Sequence, residues 1–138
     1  MIMLFVDAIA NKLTTLWANR EVFFDEVPQN IDGNFAIKVV AATHTKGLDR
    51  RRLKSFTFDI TYYLKSHDNK EYFSWAELLF YEFELLSVEG NSYHCVNMEA
   101  NVVDRIGHFI FDINVNAVLE KELEDLMQEL NIEVVLDG

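Results

Sequence analysis

The sequence predicts an α+β fold, a largely antiparallel or mixed sheet of about five strands flanked by helices. Three observations carry that expectation. Apolar residues alternate with polar ones at period two through Phe56–Leu64 and again through Phe109–Val115, as in a strand with one buried face. Elsewhere, from Ile2 to Trp17 and from Phe73 to Phe83, they return at three- and four-residue steps, as on an amphipathic helix. Short turn signals separate several strand candidates, so neighbouring strands are expected to run antiparallel.

Taken in order, Ile2, Phe5, Val6, Ile9, Leu13, Leu16 and Trp17 form the stripe of an opening helix. "EVFFDEV" (21–27) reads as a short strand, stopped by Pro28 and the polar "QNIDGN" turn. "FAIKVVAATH" (35–44) follows as a second strand. Apolar almost throughout, it is expected in the sheet interior, with the small Ala41 and Ala42 allowing close packing. Gly47 lies in the connection to the third strand, which carries Phe56, Phe58, Ile60, Tyr62 and Leu64 on one face and Thr57, Asp59, Thr61 and Tyr63 on the other. "SHDNKEY" breaks the alternation, and Asp68 or Asn69 caps a second helix with a stripe of Phe73, Ala76, Leu79, Phe80 and Phe83. A turn at Glu89-Gly90-Asn91 opens the next strand, "SYHCVNMEANVV". Asp104 to Gly107 reverse the chain into "HFIFDINVNAVL", with Gly107 expected to supply a positive φ. In the tail, Leu119, Leu123, Leu126, Met127 and Leu130 make a helical stripe, and "IEVV" a short closing strand. No repeat or linker divides the chain, so residues 1–138 are expected to form one domain with an acidic helical tail over 119–138.

Half of the 138 residues are apolar, with 11 Phe and 5 Tyr, enough to bury a core and too many for a disordered chain. Cys95 is the sole cysteine. It can form no internal disulfide, which points to a reducing intracellular setting. The opening "MIMLFVDAIANKL" is apolar but interrupted by Asp7, without a basic start or a small-residue cleavage site. No run reaches the roughly 18 apolar residues of a membrane span. The expectation is a cytoplasmic protein that does not engage a membrane.

The formal net charge of -11 is unevenly spread. Lys46, Arg50, Arg51, Arg52 and Lys54 are five of the 12 basic residues, gathered into nine positions; beyond Lys54 only four bases stand against 17 acids. An acidic surface repels nucleic acid, so no specific nucleic-acid binding is expected. The basic stretch has two readings. It is a device for meeting acidic protein surface, or a solvated loop whose arginines pair locally and shield a strand edge. The strand edge beginning at Lys54 is itself a candidate for pairing with a neighbour.

No phosphate loop, dinucleotide fingerprint or nucleophile elbow occurs, and the five glycines are scattered singly. His94 and Cys95 invite a metal, but neighbours on a strand point to opposite faces. His44, His67 and His108 are dispersed. Asp25 with Glu26, or Glu122 with Glu124 and Asp125, have the composition of acid–base pairs, yet carboxylates at turns and on helices usually serve solvation. The expectation is no catalytic residue, no metal and no cofactor. Such a protein works through its surfaces, and a basic loop opposed to acidic helices suits head-to-tail contact between identical copies. A small enzyme whose site assembles only on folding, around His44 or His94, is the alternative from another class.

The order of three blocks adds to this. An amphipathic helix is followed by "VFFDEVPQNIDGNFAIKVV", by "TKGLDRRRLKSFTFDITYYLKSHDNKEYFSWAELLFYEFELL", and by "VEGNSYHCVNMEANVVDRIGHFIFDINVNAVL". From Phe5 to Leu119 this order resembles the phage tail terminator family of prophages and phage-tail-like particles of Gram-positive bacteria. The landmarks are the F-x-I-K strand at Phe35–Lys38, the basic turn into F-x-F-D-I-x-Y at Phe56–Tyr62, and the G-N-x-Y to V-D-x-x-x-H-F hairpin between Gly90 and Phe109.

The resemblance implies a structural protein of tail-terminator-like fold. It implies a hexameric ring that sits on the last ring of the tail tube, halts polymerisation, and offers a joining surface to the head connector or to the sheath end. Assembly would take place in the host bacterial cytoplasm, and the ring would then be part of the particle. The family's long connection between two strands, reaching towards the tube, matches His44 to Lys54. Lys46, Arg50, Arg51, Arg52 and Lys54 are therefore the candidate contacts to a neighbouring subunit or to the tube protein, on a loop expected to order on binding. A head–tail joining or tail-completion adaptor is the alternative within the same machinery.

Overall fold

Phe56, Phe58, Ile60 and Tyr62, two residues apart, fall on one side of a strand, and all four are buried. The computed structural model, which describes residues 1–26, 28 and 31–118, is built around that row. Its elements are α1 (Ile2–Leu16), β1 (Val22–Phe24), β2 (Asn34–Lys46), β3 (Arg51–Tyr63), α2 (Asn69–Glu82), β4 (Leu85–Val88), β5 (Asn91–Val103) and β6 (Ile106–Val118). The strands form one six-stranded mixed sheet in the order β1-β2-β3-β6-β5-β4. Only the β1–β2 pair is parallel; the others are antiparallel.

Both helices pack on the face that carries the row. From α1, Phe5 sets its ring 5.5 Å from Phe56 and 6.2 Å from Phe58, and Trp17 lies 5.3 Å from Phe35. From α2, Trp75 stacks on Phe35 at 5.9 Å, and Phe83, just past the helix end, meets Phe111 at 5.6 Å. Burial of a Phe-sized side chain contributes about 1.5–3 kcal/mol, so this aromatic layer dominates the stability of the body. On the other face the buried Asp59 is partnered by His108, whose Nδ1 lies 2.9 Å from Asp59 Oδ2. Asp112 accepts from Thr57 Oγ1 at 2.6 Å and from Asn97 Nδ2 at 2.9 Å.

The opening helix, the short first strand and the alternation of β3 and β6 lie where the sequence places them. Other details differ. The sheet gains β4, a four-residue strand joined to β5 through Glu89 and Gly90, both at positive φ; Leu85–Val88 is too short to announce itself after a helix. Of the expected α2 stripe, Ala76, Leu79 and Phe83 are buried and Phe80 packs against the core; Phe73 is exposed instead, and Tyr72 and Trp75 take the core positions of the first turns. Asp68 is the cap, its carboxylate accepting from Lys70 N at 3.0 Å. Of β2, only Asn34–Ile37 are buried; Ala41 and Ala42 are exposed rather than interior. β3 is paired on both flanks from Arg52 to Tyr62, so the edge expected from Lys54 onward does not exist. The helical stripe from Leu119 to Leu130 and the "IEVV" strand lie outside the described residues.

Gly107 also has another role than the expected one. The β5–β6 turn takes its positive φ at Asp104 and Arg105, while Gly107 pairs within the sheet with Tyr62 and Val102. Its missing side chain makes room for α2: a Cβ there would lie 2.8 Å from Tyr72 Cδ1. Tyr72 cannot swing away, because its hydroxyl donates to Arg105 O at 2.8 Å and accepts from Leu64 N at 2.9 Å. Gly107→Ala is expected to destabilise the protein by about 1–3 kcal/mol, the usual effect of overpacking, measured by urea unfolding. Unchanged stability would contradict this packing.

Candidate functional site

Beyond the helices, β2, β3 and β6 continue as a three-stranded arm. The row of buried residues ends at Phe56 on β3 and Val115 on β6, whereas Val40 to Lys46 on β2 are all exposed. Pairing nevertheless persists to the tip, with Lys46 opposite Arg52 and Arg51 opposite Val118. β3 is the central strand of this arm. The turn between β2 and β3 is tight: Gly47 N donates to Arg51 O at 2.9 Å and Arg51 N to Leu48 O at 3.0 Å. Asp49 takes the left-handed conformation at φ 60, which Asp tolerates better than most residues. The long flexible connection expected over His44–Lys54 is thus a hairpin, with only Gly47–Arg50 outside the strands.

A β-bulge sets the electrostatics. Up to Val39 the odd-numbered residues of β2 face the core, Val39 lying opposite Phe58; beyond the irregularity at Val40, Ala42 lies opposite Phe56, His44 opposite Lys54 and Lys46 opposite Arg52. The extra residue reverses the alternation. His44 and Lys46 thereby join Arg52 and Lys54 on the face that leads down to Phe56 and α1. Without the bulge Thr43 and Thr45 would stand there.

Of the predicted site residues, the fold brings Lys46, Arg52 and Lys54 together on one face. Arg51, by alternation, stands on the other with Leu53, and Arg50 occupies the turn. Arg52 Nη1 donates to Asp49 O at 3.2 Å and to Arg51 O at 2.8 Å, so its guanidinium braces the turn. Among the described residues Lys46, Arg51, Arg52 and Lys54 form no ion pair. Like charges directly across a ladder are unfavourable, and Lys46 and Arg52 are such a pair. The arrangement holds positive charge that acidic surface from outside would relieve.

Three residues join this surface that the sequence does not assign to it. His44, which the sequence offers only as the centre of an enzyme site, completes the basic face, and only the bulge puts it there. Leu48 at the tip, 87% exposed, and Leu53, 51% exposed, add apolar surface on which a partner can close; in sequence they sit unremarked among the arginines. At the foot of the arm Met1, the N-cap of α1, and Met3 line a shallow cleft of about 430 Å³ with Ala42, His44, Lys54 and Phe56.

The other candidates are not brought into one constellation. His94 is exposed and Cys95 buried, on opposite faces of β5. His108 is engaged with Asp59, and His67 Nδ1 lies 3.3 Å from Arg105 O at the far end of the sheet from the arm. Among the described residues no group of three His, Cys, Asp or Glu side chains is placed to hold a metal, and no helix is long and apolar enough to cross a membrane. The far end holds the other notable polar cluster: Tyr62 donates its hydroxyl to Glu71 Oε1 at 3.1 Å, and Arg20 lies 3.9 Å from the same carboxylate. Burial pushes the Tyr62 phenol well above its ordinary pKa, partly opposed by Arg20.

The family model described as "Phage tail terminator protein" matches residues 5–125. No curated protein matches the chain. A solved structure of 14% sequence identity aligns over 88% of this chain and 99% of its own, with a TM-score of 0.48, a likeness too weak to argue from.

Burial pushes the Cys95 thiol up to about 12, with Lys12 opposing only in part. The folded state therefore favours the neutral thiol. That contribution to stability is complete below the ordinary thiol pKa and is lost as pH rises towards 12. At pH 8 the native protein is expected to leave a thiol-exchange reagent unreacted, and the urea-unfolded chain to consume one equivalent per chain. Fast reaction of the native protein would contradict the burial.

Proposed function

Because this chain belongs to the phage tail terminator family, and is therefore a structural component of a phage tail, we propose that it assembles into a hexameric ring that caps the tail tube through its basic arm. The single observation that carries this reading is the arm itself: an acidic body extends a paired ladder past its own core and loads the end with Lys46, Arg51, Arg52 and Lys54, which find no acidic partner among the described residues.

The mechanism is geometric rather than catalytic. A tip set on a continuous ladder keeps its charges in fixed positions, so little conformational freedom is lost when it binds. Carboxylates of the next copy or of the tube ring accept charge-assisted, in part bidentate, hydrogen bonds from the arginines, which fixes orientation as well as affinity. Contact of basic tip with acidic body is heterologous, and heterologous contacts close into a ring when the rotation per copy allows it. Once seated, the ring replaces a surface that tube subunits can extend with one they cannot, and its outer side offers the joint to head connector or sheath. The acids around the remaining surface leave passing DNA unbound. Assembly takes place in the host cytoplasm, after which the ring is part of the particle.

Arg50→Glu/Arg51→Glu/Arg52→Glu in the full chain is expected to abolish ring formation and tube capping while the far ultraviolet dichroism stays that of the wild type. Charge reversal at Lys65 and Lys70, away from the arm, is expected to leave both intact. Electron microscopy of particles assembled with the triple variant should show tubes of uncontrolled length. Normal rings and normal tube lengths with that variant would refute the arm as the contact.

A further inference from the structure

We propose that the acidic C-terminal segment of this same chain, residues 119–138, docks on the basic tip of its own arm in the free subunit. The first reason is continuity. β6 ends at Val118, directly across the ladder from Arg51, so the chain passes out of the described residues at the tip itself. Charge is the second. Residues 119–138 hold seven acids against one base, Lys121, and they begin beside a tip whose Arg51, Arg52, Lys46 and Lys54 have no ion pair among the described residues. The third is apolar surface. Leu48, Leu53 and Val118 border a cleft of about 480 Å³ at the tip, and Leu123, Leu126 and Leu130 are interleaved with the acids of the segment.

Reach and effective concentration favour the same chain over a second copy. Glu120 and Glu122 follow Val118 by two and four positions. At about 3.3 Å per extended residue the backbone span from Val118 to them is at most roughly 7 and 13 Å, short enough for the tip to be in reach without any long excursion. A short tether raises the local concentration of the segment to the millimolar range, far above that of free copies. The family match runs into this segment, to residue 125. The consequence, though not the docking, rests on the proposed function: a docked segment covers the bases that would meet the next subunit or the tube, and only a surface presenting many carboxylates at once displaces it. Rings would then form on the tube end and not in dilute solution.

The test uses the full chain with a nitroxide on Leu126→Cys. Cys95 is buried, so the label is directed to the introduced cysteine. Amide signals of Gly47 to Lys54 are expected to lose more than half their intensity to the label at about 50 mM salt, and to recover at about 0.5 M salt, where charges are screened within a few ångströms. They are also expected to recover in the Arg51→Glu/Arg52→Glu background. A mixture of isotope-labelled chains without nitroxide and unlabelled chains with it should show no loss. Undisturbed tip signals would overturn the proposal, as would broadening that ignores both salt and the arginines. Loss in the mixed sample as strong as in the single species would make a second copy the occupant and likewise overturn it. Should Leu126→Cys fail to fold, Glu133→Cys carries the label instead. Ring formation plays no part in this readout, so its outcome and that of the capping experiment are independent.

Discussion

β3 is hydrogen-bonded on both flanks over nearly its whole length, and the rest of the molecule depends on that constraint. Its second half supplies Phe56, Phe58, Ile60 and Tyr62 to the core, while its first half carries Arg51, Arg52 and Lys54 out beyond the helices. Core and charged tip are thus two ends of one ladder. The arm has little apolar burial of its own, and segments with few buried contacts usually open locally at small free-energy cost. Here the pairing with β2 and β6 passes from the aromatic layer to the tip without a break in β3. The tip is therefore presented in a fixed geometry.

Charge placement follows from the same ladder. The bulge at Val40 turns two threonines away from the inner face of the arm and brings His44 and Lys46 to it, so a single inserted residue concentrates positive charge that alternation alone would have divided. Mutual repulsion among these groups is modest in water. The acids of α2 and the body give any partner copy a complementary surface. Charge-assisted contacts of this kind confer register and partner choice more than raw affinity, which suits the proposed assembly.

How much of this could be read from the sequence depends on how one-sided each segment's environment is. β3 and β6 were legible because each alternates against a single aromatic layer. The stripe of α2 is legible from Ala76 to Phe83; only its first turn is not, where Tyr72 rather than Phe73 faces the core because it meets Gly107 and Leu64. Gly107 has the sequence context of a turn residue, yet its absent side chain serves close packing, while Asp104 and Arg105 adopt the left-handed conformations. The second strand looked interior because Val39, Val40, Ala41 and Ala42 are apolar; composition does not say where the helices stop covering the sheet. The basic cluster itself was plain in the sequence. Its division between two faces was not, because the bulge that decides it leaves no residue signature, and the expected flexible loop is a paired hairpin for the same reason: pairing partners for Arg51–Lys54 lie more than sixty positions away on β6.

The central claim is that the tip of the arm is where this protein joins its neighbours. A cryo-electron microscopic reconstruction of the tail end tests it most directly. The account predicts a ring of copies in which each Lys46–Lys54 hairpin abuts carboxylates of the adjacent copy or of the last tube ring. A ring whose copies meet through other surfaces, with every hairpin tip standing clear in solvent, would contradict it.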